Sequence, residues 1–304
     1  MGGAGAHRAG LVGWSRRGLG VLGLFVFSMT EAAKPVRMGG ADLLGGPVVQ
    51  ALEARAQSNE EEIRVEFRGS RPAVDSLGVG NLDIAVLIED SSAPELGKDF
   101  ASVTLGYLTA VVVVPTGVPV DQVDFADLRQ VYGAFSAVPT TRWGDFGATG
   151  LWSGMPISPH VTSPAERLSY VLFEHEVLPE GGLRNEVRMH DTLQETLKAV
   201  LADDGGMGVV PWLPKASARL KVLLVAPEPG QVAFGPTPDN LHAGDYPLRR
   251  AVHLTFRRAE VPRLLPWLRY WYGDEMSAAM LGSGVVPLPR SARNQQVFDL
   301  EVIE

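Results

Sequence analysis

Arg68-Gly69-Ser70-Arg71 stands between an apolar–polar alternation, Ile63 to Phe67, and a second apolar run, Ile84 to Leu87. Two guanidinium groups can hold an anion through paired donors, a serine hydroxyl can add a third, and a glycine lets the backbone come close. The same residues also make a turn that any protein might use. Two further joints share the character: Gly39-Gly40-Ala41-Asp42 and Thr162-Ser163. Each is expected to join a strand to a helix, where unpaired backbone N–H groups face outward from the helix N-terminus. Three such ends, if they converge, make an oxyanion pocket. Its candidate ligands are Gly40, Ala41, Asp42, Arg68, Gly69, Ser70, Arg71, Thr162 and Ser163. Asp42 can also accept a proton-bearing ligand oxygen, which discriminates against fully deprotonated anions. Taken singly, Asp42 and Ser163 also read as plain helix caps.

Catalytic signatures fail one after another. Gly150-Leu151-Trp152-Ser153-Gly154 has the wrong spacing for a nucleophile elbow, and Gly97-Lys98 is followed by Asp99 and lacks the upstream glycine of a phosphate loop. Glu174-His175-Glu176 lacks the second histidine of a zinc helix, and Asp203-Asp204 before Gly205-Gly206 reads as a turn. No catalytic residue, metal ligand or cofactor is expected.

The elements that must position these joints alternate between strand and helix, which favours an α/β architecture with largely parallel sheets. Strands are expected at Val36 to Gly40, Ile63 to Phe67, Ile84 to Ile88, Val103 to Pro115, Met207 to Pro211, Leu220 to Val225 and Ala251 to Phe256. Helices are expected at Leu43 to Gln57, Pro72 to Val79, Phe125 to Ala134, Ala165 to Leu178, Thr192 to Ala202 and Leu264 to Leu281, the last stopped by Gly282. Pro227 to Tyr246 reads as a long surface connection, and no internal repeat or heptad run is visible.

At 304 residues, with 45% apolar and 20% charged side chains, the chain is globular and long enough for about two domain-sized units. Arg8, Arg16 and Arg17 precede the apolar run Gly18 to Met29, and Thr30-Glu31-Ala32 offers small residues for cleavage. Residues 1–33 are therefore expected to be a signal peptide, with an uncleaved anchor as the other reading. Ser15-Arg16-Arg17 also raises the twin-arginine export route. Gly18-x-Gly20-x-x-Gly23 matches the dinucleotide fingerprint only formally, since no strand-helix unit of the mature chain follows it. There is no cysteine, which removes disulfides, thiolate metal sites and a lipid-modified cysteine. Without Arg8, Arg16, Arg17 and Glu31 the formal charge of −8 becomes about −10. A phosphate backbone needs a concentrated basic surface, so nucleic acid is not expected as a partner. An anionic ligand must be caught by local groups and not by the overall field.

The order of the pieces resembles the phosphate-type substrate-binding proteins of bacterial ABC transporters. Arg68-Gly69-Ser70 to Asp83-Ile84-Ala85 resembles that family's glycine-serine loop, short helix and following strand. Phe125 to Val131 with Thr141 to Gly147, "TRWGDFG", is similar to its helix and tryptophan turn. Asn185 to Trp212, "YPLRRAVHLTF" and Gly282 to Pro289, "GSGVVPLP", match its later elements. The resemblance implies an α/β, two-lobed type II periplasmic binding protein fold with lobes joined by crossing strands. Lobe one would take residues 34–111 and 225–304 and lobe two residues 112–224, with "VVVVP" and "LLVAP" as the crossings. It implies an exported monomer, periplasmic or secreted, that binds phosphate or a similar oxyanion between the lobes and hands it to an ABC transporter permease without catalysis. Two departures stand out. Leu87-Ile88 occupy the places of a polar ligand residue, polarity resuming at Glu89-Asp90. His160-Val161-Thr162-Ser163-Pro164-Ala165 replaces an arginine followed by Ser-Gly-Thr, with Arg167 a candidate substitute for the arginine. A sensor or scaffold of the same fold without a small ligand, and an exported hydrolase, are the other readings.

Overall fold

The structure is a computed structural model that describes residue 2 and residues 34–89, 96–137, 139–212 and 218–302. The expected signal peptide, Gly2 apart, lies outside the described residues, as does Asp90. The fold belongs to the second of the chain's two compact units, Lys34–Glu304; the first is Met1–Ala33.

Two strand-helix steps and a third strand come first: β1 (Val36–Gly40), a 3-10 turn at Asp42–Leu44, α1 (Gly46–Ser58), β2 (Ile63–Glu66), α2 (Ser70–Gly78) and β3 (Ile84–Ile88). The long β4 (Phe100–Pro115) then leads into β5 (Gln122–Asp124), α3 (Phe125–Tyr132), β6 (Ser158–Thr162), α4 (Ser169–Val177), β7 (Arg188–His190), α5 (Leu193–Ala202) and β8 (Gly206–Pro211). The chain returns through β9 (Leu220–Val222), β10 (Leu224–Ala226) and α6 (Pro238–Ala243) to β11 (Arg249–Arg257). It closes with α7 (Val261–Trp271), α8 (Asp274–Gly282), β12 (Val286–Pro287) and α9 (Arg290–Glu301).

The main sheet has the order β2-β1-β3-β11-β4-β8-β6-β7, and β5 and β10 form a separate parallel pair. It is mixed and not largely parallel: β1, β2 and β3 are parallel, as are β6, β7 and β8, but β11 and β4 run against their neighbours. Strand alternation buries both faces. Ala85 packs under Ala73 and Leu77 of α2, while Ile84 and Val86 join the core formed with α1, α7 and α8. In the second half Val111 and Val113 face Leu193 and Leu197 of α5, and Val112 and Val114 face the core of α3 and α4. A strand covered on both sides needs a continuous apolar run, which is what Val111 to Val114 provide.

One strand serves both halves. Residues Phe100 to Thr109 of β4 pair with β11, and Ala110 to Val113 pair with β8. Where the partner changes, the segment before β11 takes over: the Leu248 carbonyl accepts from Thr109 Oγ1 at 2.8 Å and from the Ala110 amide at 3.1 Å, and Tyr246 Oη donates to the Ala110 carbonyl at 2.8 Å. The Ala110 amide and carbonyl are thus both met where the partner changes.

Several expected boundaries move for identifiable reasons. The helix expected over Leu264 to Leu281 is two helices, because Gly273 ends the first run and Asp274 and Glu275 favour a fresh N-terminus. The helix expected from Ala165 begins at Ser169, since Pro164 to Glu166 close a turn through Glu166 N–H to the Ser163 carbonyl, 3.1 Å. The strand expected over Leu220 to Val225 breaks at Leu223: β9 pairs with β4, and Leu224–Ala226 pairs with β5. That pairing falls within the "LLVAP" segment expected as the return crossing.

At the opposite end of the first three strands, Asp83 is held by Arg37 Nη2 at 2.9 Å, the Arg37 amide at 2.8 Å and Arg263 Nη2 at 2.8 Å. Burial pushes the Asp83 carboxyl up, but the hydrogen bonds from Arg37 and the charges of Arg263 and Arg37 outweigh it, leaving it below the ordinary carboxylate value. A carboxyl lowered on folding adds stability that is present above its unfolded value of about 3.9 and is lost as pH falls through the folded value. Asp83→Asn is expected to lower stability by about 2 kcal/mol at neutral pH, measured by urea unfolding, with the gap to the unaltered chain closing below about pH 4.

Candidate functional site

β1, β2 and β3 end on the same side of the sheet, and their last residues are bonded to one another. The Gly69 amide donates to the Gly40 carbonyl at 2.7 Å, the Ala41 amide to the Val86 carbonyl at 2.8 Å, and the Ile88 amide to Ser70 Oγ at 3.2 Å. Gly40 has φ +145°, and a Cβ there would meet the Val86 carbonyl oxygen at 2.0 Å. Close approach of β1 to β3 therefore requires a residue with no side chain. A cavity of about 160 Å³ borders this joint and is lined by Gly40, Arg68, Gly69 and Pro72 among others. A larger one of about 570 Å³, between α3 and the turn after α4, touches none of the candidate residues.

The polar side chains at these ends separate into engaged and open ones. Arg68 is exposed and donates to Glu66, the last residue of β2, at 2.8 Å. Ser70 Oγ is taken up by the Ile88 amide. Arg71 is exposed and has no hydrogen-bond or ion-pair partner among the described residues, and Asp42 is exposed at the start of the 3-10 turn. Leu87 and Ile88 point to opposite faces: Leu87 packs with Ala73, Leu77 and Ala85, and Ile88 packs against the main core. Glu89 is thus the first polar residue after β3, and its amide donates to the Ala251 carbonyl of β11 at 2.8 Å.

In the second half Thr162 is fully buried with Oγ1 2.9 Å from Thr196 Oγ1, so its hydroxyl serves packing against α5. Ser163 Oγ accepts from the Ala165 amide at 3.2 Å and closes the turn there, six residues before α4 begins. Neither Asp42 nor Ser163 caps a following α-helix. Among the helices that follow parallel strands, α3 has a capping box from Asp124 and Asp127 and α5 one from Thr192 and Glu195, whereas α1, α2 and α4 have no side-chain cap. Those three are the joints whose sequence suggested outward-facing N–H groups. In α2 these are the amides of Ser70 and Arg71, since Pro72 has none.

Arg167 connects the two halves. Its Nη2 donates to the Gly282 carbonyl at the end of α8, 3.3 Å, and a Cβ on Gly284 would lie 3.1 Å from its Nε. A Cβ on Gly282 would in turn touch Pro47 of α1 at 3.5 Å, so Arg167, the start of α1 and the Gly282–Gly284 turn lie together. Two buried hydroxyls flank this place, Ser169 Oγ at the first residue of α4 and Ser283 Oγ, and neither has a partner among the described residues. Sequence reasoning passed over both serines. The signal was available in the Gly282-Ser283-Gly284 triplet, where two glycines leave a hydroxyl as the only side chain. Among the described residues no group of three or more His, Asp or Glu side chains could hold a metal ion, and no helix is long and apolar enough to cross a membrane.

No profile of a known protein family matches the chain. The phosphate-binding protein PstS of Pseudomonas aeruginosa is 23% identical over 184 residues, 57% of this chain and 56% of that protein's length. Among solved structures, a possible phosphate binding protein from Planctomyces limnophilus superposes with a TM-score of 0.64 at 16% identity, covering 88% of this chain and 99% of the other. An ABC-type phosphate transport receptor from Vibrio cholerae gives 0.62 at 15% identity, covering 84% and 100%. The chain has the two-lobed fold of the periplasmic binding proteins, and phosphate-binding receptors are what it resembles in both sequence and structure.

Proposed function

We propose that the chain is an exported, non-catalytic receptor that captures phosphate or a related oxyanion between its lobes and delivers it to the permease of an ABC transporter. The observation that carries this reading is the set of uncapped helix starts at α1, α2 and α4, with Arg167 and the unpartnered hydroxyls of Ser169 and Ser283 beside two of them. Backbone N–H groups and a guanidinium stabilise an anion, and buried hydroxyls supply donors that rotate to suit it. The likeness to phosphate-binding proteins supports the same ligand class. Asp42, Arg71, Arg167, Ser169 and Ser283 are the side chains assigned to the ligand; Gly40, Ala41, Gly69 and Ser70 shape the loops that present the amides.

Lobe one takes residues 34–111 and the C-terminal stretch, and lobe two the residues between. Closure is a hinge motion about the place where β4 changes partner and the return segment that fastens it. The receptor acts as a monomer in the periplasm or outside the cell. With an acidic chain, capture relies on the local donors, and salt is expected to affect it little beyond their immediate surroundings.

A ligand-free scaffold is the second reading, favoured by Arg68 and Ser70 already being engaged within the protein. Titration calorimetry with inorganic phosphate separates the two: heat of binding at micromolar to millimolar concentrations supports the receptor, and none from a folded chain supports the scaffold. Arg167→Ala is expected to weaken phosphate binding by about tenfold to a hundredfold, the loss of one charge-assisted contact. Ser169→Ala and Ser283→Ala should each weaken binding by about fivefold while raising the stability of the free protein by about 1 kcal/mol in urea, because each removes a buried hydroxyl without a partner. A fall in stability would mean that the hydroxyl serves the fold.

A further inference from the structure

The edge of the lobe-two sheet carries a chain of titratable side chains that phosphate capture, as described, does not use. His160 of β6 is fully buried. Its Nε2 lies 3.1 Å from Asp203 Oδ2 at the end of α5, and its Nδ1 lies 3.0 Å from Nε2 of His190, the last residue of β7. Arg188 Nη1 stands 3.2 Å from the same carboxylate oxygen. These contacts order the protons. A carboxylate only accepts, so His160 carries hydrogen on Nε2 and accepts at Nδ1; His190 must then donate from its own Nε2. The one nitrogen of the pair that can take a further proton without breaking a bond is His190 Nδ1. Burial lowers His160 from the ordinary histidine value, more than the Asp203 hydrogen bond raises it, so the added proton stays off the inner ring.

His190 stands at the ends of the strands that present the lobe-two loop. It pairs with Thr162 across the parallel register, and its carbonyl accepts from the Ser163 amide at 2.8 Å. The Thr162 to Arg167 turn is therefore one strand away from the imidazole. The charged residues on its own strand and on α5, which packs against β7, are Arg188, Asp191, Glu195 and Lys198. Glu195 is occupied by the capping box with Thr192. Arg188 and Asp203 offset one another as an ion pair.

We propose that His190 is a proton-linked element of the oxyanion site, held in one tautomer by His160 and Asp203, whose imidazolium form strengthens capture of an anion at the ends of β6 and β7. The proposal rests on the oxyanion reading of the cleft. A positive charge near a bound anion strengthens binding by about threefold to tenfold, the range set by partial solvent screening. Histidine is the side chain whose charge changes between about pH 5 and 8, so the gain belongs to the acid side of that window. By linkage, a bound anion must in turn make His190 hold its proton to higher pH.

The test is phosphate titration calorimetry on the whole chain and on His190→Gln and His190→Asn, at about pH 5.5 and about pH 8. Comparing chains at one pH cancels the titration of phosphate itself. The unaltered chain should bind more tightly than either variant by about threefold to tenfold at the lower pH and equally at the higher one. Imidazole nitrogen chemical shifts of the unaltered chain give a second readout that needs no variant: phosphate should raise the titration midpoint of His190. Phosphate binding whose variant ratio is the same at both pH values, with an unmoved midpoint, overturns the proposal and leaves the oxyanion reading standing. Absence of phosphate binding at either pH removes that reading, and the proposal with it.

Discussion

A backbone amide or carbonyl buried away from water must find a partner, and in this protein that constraint is concentrated at Thr109 and Ala110. β4 leaves one neighbour and joins another within two residues, and the groups at the change are met by Leu248 and Tyr246. The rest of the architecture follows from this. Each half of the sheet can carry its own helices on both faces, yet neither half owns the central strand. The parallel strands of the two halves then present their ends to one another, with Arg167 reaching the turn after α8.

The ends of β1, β2 and β3 show how packing fixes what is free to act. Gly40 and the carbonyl of Val86 are so close that the loop has little choice of conformation. Ser70 is drawn into this lattice, Arg68 turns to Glu66, and what is left facing solvent is Asp42 and Arg71. After β6 the same sorting takes Thr162 into the contact with α5 and leaves Arg167 and Ser169 at the start of α4.

Much of the fold was legible because its signals are local. The runs that became β1, β3 and the buried half of β4 are apolar and bounded by glycine or polar residues, and they appear where expected. β6 went unseen because Pro159 argues against a central strand, yet it is held between β8 and β7. α9 was missed since its sequence is largely polar and only Leu300 is buried. At the site, the choice of joints could be read from glycine and hydroxyl residues before a helix. Which side chains stay available could not, because Ser70 to Ile88 and Thr162 to Thr196 are decided by strand and helix packing, not by neighbours in the chain.

The shared strand has a last consequence, for how the molecule comes apart. Ala110 through Val114 are at most 1% exposed, and their bonds run to β8, β9 and the Leu248 segment at once. Amide protons there can meet solvent only when both halves lose their centre together, whereas those of the short edge strands β2 and β7 exchange through local opening. Two halves that share such a strand are expected to lose it in one step.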